Sequence, residues 1–294
     1  MAQDLAIIWG EPPRLVPLAK AMVSVMDLGL LRGMGVFETI RTYGGNPYAL
    51  TAHLERLWKG AKELGVSPVF TEKELRQVFA SAYRHSGYDE VRLNIVITAG
   101  ELMGDSIEAI APTAIMTIRP LGSPPTSDYE EGIAVVTFPA QRMLPEHKTT
   151  NYLTGRTGLL LAKEKGAKEA LYVDPEGCVT EGVTTNVLVV KDDVVFTPKT
   201  DCLPGITRDG IQRVAIEFGL GWQPRRLWPS DLESADEVWI CSSVRELLSV
   251  VIIDDKVIGD GLPGSWGPQV RAAFHGNCMV AAAKDVERQG PSPK

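Results

Sequence analysis

The sequence predicts an α/β fold with mixed sheets and substantial antiparallel pairing, divided into two domains. Three observations point there. Stretches of strict apolar alternation are interleaved with stretches of helical apolar spacing, and many of the alternating stretches are joined by turns too short for a helical crossover. A polar segment rich in Pro, Ser and Gly, "LGSPPTSDYEEG" at 121–132, interrupts the pattern and reads as an interdomain linker. The domains expected are therefore 1–120 and 133–294.

"LAIIW" (5–9) reads as the first strand. In "MGVFETIRTY" (34–43), Phe37, Thr39, Arg41 and Tyr43 share one face and Val36, Glu38, Ile40 and Thr42 the other. After the turn "GGNP", Leu54, Leu57, Trp58, Ala61 and Leu64 have helical spacing, with Thr51 as the expected cap and Gly65 as the stop. Thr71 and Glu74 form a capping pair ahead of the stripe Leu75, Val78, Phe79, Ala82 and Tyr83. "VRLNIVIT" (91–98) is a strand with Val91, Leu93, Ile95 and Ile97 inward and Arg92 opposite, and "TAIMTIRP" (113–120) is another. The second half reads as strand "IAVVTF", a lysine-bearing segment, a helix to about Gly166 and strand "EALYVD". Beyond the turn "PEG" come strands "TTNVLVV" and "VVFTP", a helix through "IQRVAIEFG", strand "DEVWICSS" and a frayed tail.

The chain has 294 residues, a net charge of −7 and a pI near 5.3, which argues against a nucleic-acid or membrane-surface binder. No apolar leader precedes the first strand and no run suffices to span a bilayer. The four cysteines lack C-x-x-C spacing and read as thiols of a reducing cytoplasm rather than as disulfides. Four histidines without clustered spacing argue against a metal site, and the common nucleotide-binding glycine motifs are missing.

Chemistry concentrates in three places. "HKTTNY" (147–152) sets Lys148 just before a predicted helix start, where an amine can be poised to attack a carbonyl; the bland alternative is a solvated side chain. In "TEGVTTN" (180–186), Glu181 is either an exposed turn carboxylate or a carboxylate set against a ring nitrogen. "LPGITR" (203–208) turns tightly at Pro204 and Gly205 and enters a helix, so the N–H groups of Ile206 and Thr207 with the Thr207 hydroxyl would suit a phosphate, or Thr207 is merely a cap. "CSSVRE" (241–246) ends a strand on the adjacent hydroxyls Ser242 and Ser243, a second anion cup or a plain polar turn.

These motifs, with "GVFETIR" and "HLERL", follow the order and spacing of the class IV aminotransferases, the fold-type IV pyridoxal 5'-phosphate (PLP) enzymes, which the chain resembles over roughly residues 25–260. The resemblance implies a small N-terminal α/β domain, a larger C-terminal domain with a mainly antiparallel β core, and assembly as a homodimer or higher homo-oligomer, with "GELMGDS" (100–106) lent to the neighbouring subunit. It implies Lys148 as the PLP-bearing lysine, joined as a Schiff base and serving also as proton shuttle. Glu181 would lie on the pyridinium nitrogen, Leu203 on the ring face and Tyr152 near the ring hydroxyl. The phosphate would be held by Arg56, Ile206, Thr207 and Ser243, with Gly205 and Ser242 among the cofactor positions.

The implied reaction is transamination between an amino acid, branched-chain or otherwise hydrophobic and L or D, and a 2-oxo acid. Phe37, Thr39, Arg41, Arg92 and Val244 are the expected substrate positions. Phe37 and Arg41 fit the branched-chain pattern, whereas Thr39, Glu90 and Ser242 replace its glycine, tyrosine and glycine, and "TAGELMGDS" lacks the Arg-x-His of the D-amino acid enzymes. On its strand face Arg41 can hold a carboxylate bidentately or form a structural ion pair with Glu90 or another acid. "FETIR" and "SSVRE" also resemble aminodeoxychorismate lyases, so a pyruvate-releasing lyase and an (R)-amine transaminase are the enzyme alternatives. A binding protein that has lost catalysis is the non-enzyme one.

Overall fold

The computed structural model describes residues 2–10, 12–101 and 111–289. It divides into two compact units. The first comprises Met1–Gly122 with His147–Asn151 and Cys278–Lys294; the second comprises Ser123–Glu146 with Tyr152–Asn277.

In the first unit the elements are β1 (Leu5–Ile8), β2 (Arg14–Pro17), α1 (Leu28–Arg32), β3 (Gly35–Tyr43), β4 (Asn46–Pro47), α2 (Leu50–Glu63), α3 (Glu72–Ser86), β5 (Val91–Thr98) and β6 (Thr113–Pro120). The strands form one antiparallel sheet in the order β2-β1-β6-β5-β3-β4. Strand alternation gives it two different faces. One carries Val36, Ile40, Leu93, Ile95, Ile97, Met116 and Ile118, all buried in a core with Leu54 and Leu57 of α2 and Leu75 and Phe79 of α3. Each fully buried Leu or Ile contributes about 2 kcal/mol, so this face sets the register.

The other face is only partly covered and its register builds three cross-strand rows. They run Phe37–Val96–Ile115, then Thr39–Asn94–Thr117, then Arg41–Arg92–Arg119. Asn94 donates to the Thr39 hydroxyl across the middle row at 2.8 Å.

The capping pair stands as read: Thr71 caps α3 in a full capping box with Glu74, and Gly87 ends the helix at φ 69°. Thr51 does not cap α2. The helix starts two residues earlier, behind Ala49, Leu50 is buried, and the Thr51 hydroxyl donates to Glu72 instead. Burying a leucine outweighed one cap hydrogen bond.

The second unit holds α4 (Thr126–Glu130), β7 (Ile133–Pro139), α5 (Leu153–Glu164), β8 (Glu169–Val173), β9 (Val179–Gly182), β10 (Asn186–Lys191), β11 (Val194–Thr197), α6 (Ile206–Glu217), β12 (Gly221–Pro224), α7 (Pro229–Glu233), β13 (Glu237–Ser242), β14 (Glu246–Ile253), β15 (Lys256–Val257) and the first part of α8 (Trp266–Gln289). Its nine-stranded sheet runs β12-β11-β10-β13-β14-β7-β8-β9, with β15 added to β14. Pairing is antiparallel except at β11–β12, β14–β7 and β7–β8. One core packs Val135, Leu171, Val187, Val189, Ile240, Leu248 and Val250. On α5, a Cβ at Gly158 would stand 3.0 Å from the Phe138 ring and 3.3 Å from Ala170, so glycine allows the helix to lie close on β7 and β8.

Besides the short elements β2, α1, β12, α7 and β15, several features of the structure go beyond the sequence reading. The linker contains the short helix α4, and Glu181 is a residue of strand β9, just ahead of the expected turn at 183–185 that leads into β10. Strand β14 follows "CSSVRE", and α8 reaches Gln289, into the tail expected to fray. Of "GELMGDS", residues 102–106 fall outside the described residues.

Candidate active site

Lys148 sits in the first unit, on the edge of β3 away from β5 rather than at a helix mouth. Its carbonyl accepts the Phe37 N–H at 2.8 Å, the Thr150 N–H reaches the Gly35 carbonyl at 2.8 Å, and Val36 and Thr149 form an isolated bridge. The Lys148 backbone thus extends the sheet, and its Nζ lies 4.5 Å from the centroid of the Phe37 ring. A cation over an aromatic face is attracted to it, which restrains an otherwise flexible side chain. The helix α5 begins five residues on, at Leu153.

Next to Phe37, on the core side of β3, Glu38 is fully buried. Arg56 of α2 donates from Nε to Glu38 Oε1 at 2.7 Å and from Nη2 to Oε2 at 2.8 Å. Burial opposes the charge on Glu38, but the guanidinium of Arg56 and then His53 hold its carboxyl down at about 2. Burial pushes His53 below its ordinary value against the pull of Glu38, so the ring is neutral near pH 7 and its Nδ1 donates to Glu38 at 2.8 Å. Arg56 is therefore aimed by a buried carboxylate, a clamp that "HLERL" alone does not disclose. The signal available was the i, i+3 spacing of His53 and Arg56, which puts both on one helix face.

In the second unit, Glu181 on β9 is 4 % exposed. Arg142 Nε donates to its Oε1 at 2.7 Å and the Leu203 N–H to its Oε2 at 3.0 Å. Arg142 was missed in the sequence, where it is one more arginine in a loop. Asn186 donates from Nδ2 to the Leu203 carbonyl at 2.8 Å, so Leu203 is fixed on both sides. Gly205 precedes α6 without any side-chain cap, and Thr207 in the first turn is buried. A Cβ at Gly205 would stand 1.8 Å from Asn186 Oδ1. The first N–H groups of α6 therefore have no side-chain cap, an arrangement that suits an anion.

Ser242 ends β13 and accepts the Arg245 N–H at 3.4 Å; Ser243 and Val244 complete the same turn. Arg245 holds the turn down through Glu169 at 3.0 Å and Thr184 at 2.5 Å. Tyr152 does something local: its hydroxyl donates to the Val183 carbonyl at 3.0 Å, and burial pushes its phenol well above the ordinary range.

A profile of the family described as amino-transferase class IV matches residues 35–253. The chain belongs to the class IV aminotransferases. This aminotransferase is 33% identical over 263 residues to the putative branched-chain-amino-acid aminotransferase of Methanocaldococcus jannaschii, covering 86% of this chain and 90% of that one. It is 31% identical over 278 residues to a D-alanine aminotransferase of Bacillus licheniformis, covering 93% and 98%. The chain spans about half the length, 48%, of the Arabidopsis thaliana branched-chain-amino-acid aminotransferase-like protein 2, to which it is 31% identical over 88% of itself. Among solved structures, the Escherichia coli branched-chain amino acid aminotransferase superposes with a TM-score of 0.87 at 27% identity, over 95% of this chain and 96% of that one. The T.th. branched-chain amino acid aminotransferase with pyridoxamine 5'-phosphate gives 0.87 at 28% identity, over 95% of each. Class IV aminotransferases are PLP enzymes, and the mixed α/β fold read from the sequence is theirs.

Several features of this aminotransferase suit that cofactor. Glu181 is a held acceptor, the α6 N-terminus is an uncapped set of N–H groups beside a glycine that a Cβ would block, and Lys148 is a restrained primary amine. No helix among the described residues is long and apolar enough to cross a membrane, and no group of residues there is arranged to hold a metal ion.

Proposed function

We propose that Lys148 is the amine that carries PLP, and that the enzyme moves an amino group between a hydrophobic or branched-chain amino acid and a 2-oxo acid. The observation that carries this reading is the placement of Lys148, pinned to β3 through its backbone and laid over Phe37 through its side chain. When bound, the cofactor would supply an electron sink for the electrons of the substrate Cα–H bond. Lys148 Nζ would take the Cα proton, hold it and give it back, and its restraint over Phe37 limits how far that nitrogen can wander.

Glu181 would present its carboxylate to the ring nitrogen, and Arg142 with the Leu203 N–H prevents it from swinging away. Leu203 would face the ring. Gly205, Ile206 and Thr207 at the start of α6, Ser242 and Ser243 in the β13–β14 turn, and Arg56 would hold the phosphate. Tyr152 would serve the ring hydroxyl.

Phe37, whose ring meets the Lys148 side chain, heads an apolar cross-strand row with Val96 and Ile115, which suits a hydrophobic donor. Thr39, Arg41, Arg92 and Val244 are the further substrate positions. The names of the relatives, branched-chain and D-alanine aminotransferases, support donors of either hand.

The enzyme acts as a homodimer or higher homo-oligomer in the cytoplasm. Strongly exposed Met22, Val25 and Leu30 support the first statement, and four buried cysteine thiols support the second. Borohydride reduction of the reconstituted protein followed by peptide mapping tests the assignment. The label belongs on the peptide containing Lys148; a label on another lysine, or none, refutes it. A panel of paired L- and D-amino acids, followed by loss of the cofactor's visible absorbance, then reads the stereochemical preference.

A further inference from the structure

The motif "CSSVRE" ends in a glutamate that has no part in the chemistry above. Glu246 opens β14, where it pairs with Ser242 across the hairpin loop of Ser243, Val244 and Arg245. Its φ is 58°, in the left-handed region where a Cβ crowds the backbone. Tight hairpins usually place glycine at such a position. Most of the other described non-glycine residues with positive φ are aspartates, whose short side chains tolerate it. The longer glutamate has no such local compensation.

The side chain shows what keeps it there. Glu246 is 2 % exposed, and its Oε1 lies 2.8 Å from Nδ1 of His275 on α8. Arg271, one turn earlier on the same helix face, approaches Oε2 at 3.7 Å. The Arg271 guanidinium carbon also lies 4.2 Å from the centroid of the Tyr129 ring. The Tyr129 hydroxyl in turn donates to the Arg245 carbonyl at 3.1 Å, in the peptide that joins Arg245 to Glu246. One buried carboxylate thus ties the end of the hairpin to α8, while α4 of the linker holds the carbonyl beside it. Backbone in an unfavourable region persists only where its surroundings over-determine it, and such positions cluster at ligand clamps.

We propose that Glu246 is a positioning residue: anchored on α8, it fixes the turn that presents Ser242 and Ser243 to the phosphate of the cofactor. The proposal rests on the reading of that turn as a phosphate holder. Both carboxylate oxygens are directed at α8, so Glu246 acts through the backbone it fixes. Without the tether, its φ is free to relax to the negative values that a residue with a Cβ prefers. A rotation at the base of so short a loop re-aims the hydroxyls and N–H groups along it. Arg245 grips the same loop through Glu169 and Thr184, so two consecutive residues hold it by different neighbours.

The test titrates apoenzyme with PLP and with pyridoxal, which lacks the phosphate, and follows the absorbance of the bound aldehyde. Glu246→Gln keeps the length of the side chain and loses its charge. It should weaken PLP binding about tenfold and pyridoxal binding by less than about twofold. Glu246→Gly suits the backbone angle but removes the tether, and should lose at least as much of the preference for PLP. An equal loss for both ligands would overturn the proposal, because a merely structural role weakens the whole site. So would a wild-type preference in Glu246→Gly, since the backbone conformation alone would then suffice.

Should the Glu246 variants fail to fold, His275→Ala cuts the tether from the helix side and should lower the same preference. A wild-type preference there overturns the proposal. Ser243→Ala separates it from the reading beneath. A lowered preference in Ser243→Ala with none in Glu246→Gln keeps the phosphate on the turn and removes Glu246. A wild-type preference in Ser243→Ala takes the phosphate off the turn, and the proposal falls with it.

Discussion

Lys148 and Phe37 touch twice: the lysine carbonyl accepts the phenylalanine N–H at 2.8 Å, and the lysine nitrogen lies 4.5 Å from the centre of the phenylalanine ring. Backbone and side chain of the lysine proposed to react are therefore positioned by one strand position. On that proposal, replacing Lys148 with alanine should lower kcat by about a thousandfold, through loss of the proton shuttle. Phe37→Ala keeps the backbone bond and removes only the ring, so kcat/KM should fall by about tenfold while the borohydride label remains on Lys148. Steady-state kinetics with the same donor and acceptor for both variants measures the contrast; a Phe37→Ala enzyme as slow as Lys148→Ala would contradict it.

In the second unit, Arg142 pairs with Glu181. Removing one partner of a buried ion pair leaves the other charge uncompensated. Arg142→Met should destabilise the protein by about 3 kcal/mol and weaken retention of PLP, because Glu181 loses the group that aims it. Thermal unfolding of apo and loaded protein, together with loss of visible absorbance on dialysis, reports both effects. Unaltered PLP retention in Arg142→Met would remove Arg142 from the cofactor site.

Gly205 is confined by Asn186, whose Oδ1 lies 1.8 Å from where a Cβ would be built. Gly205→Ala must displace Asn186 or the start of α6, and Asn186 is also bonded to the Leu203 carbonyl. PLP affinity should drop by about tenfold or more, through misdirected N–H groups rather than a lost one. The double variant Gly205→Ala with Asn186→Ala should bind PLP better than Gly205→Ala alone, as measured by fluorescence titration. No recovery in the double variant would mean that the clash is not what matters.

The Glu38–His53–Arg56 cluster makes stability depend on pH in one direction. Glu38 titrates near 2 in the folded chain and at its ordinary 4.5 in the unfolded one, so its contribution of about 3 kcal/mol is complete above 4.5 and lost as pH falls toward 2. His53 is held below 6.5 when folded, so the unfolded chain takes up a proton first as pH drops through 6.5, and stability begins to fall there. Urea unfolding at a series of pH values should show a decline starting below 6.5 and steepening below 4.5. His53→Gln should delete the upper part of that decline and keep the lower. A flat profile between about pH 7 and pH 5 in the wild type would show that His53 is not buried neutral.

Much was legible before any tertiary structure. The capping box at Thr71 and Glu74, the alternation of β3 and β5, and the helix behind "LPGITR" depend on neighbours within a few residues, and the structure has them where the pattern puts them. The order of the motifs carried the family, because a lysine, a glutamate and a glycine turn at those intervals are rarely assembled otherwise. Thr51 shows the limit: its local capping preference was real, but a core position for Leu50 mattered more.

Three matters were decided only by the folded chain. Arg142 meets Glu181 across 39 residues, Lys148 lies on the edge of β3 and not at a helix start, and Arg41, Arg92 and Arg119 fall into one row. Each is a pairing between segments far apart along the chain. Local propensity says which side of a strand a residue takes, but a shift of strand register by two residues would keep every inward face and dissolve that row. Which residues lie opposite each other is chosen by the packing of the whole core, and that choice is written in no single stretch of sequence.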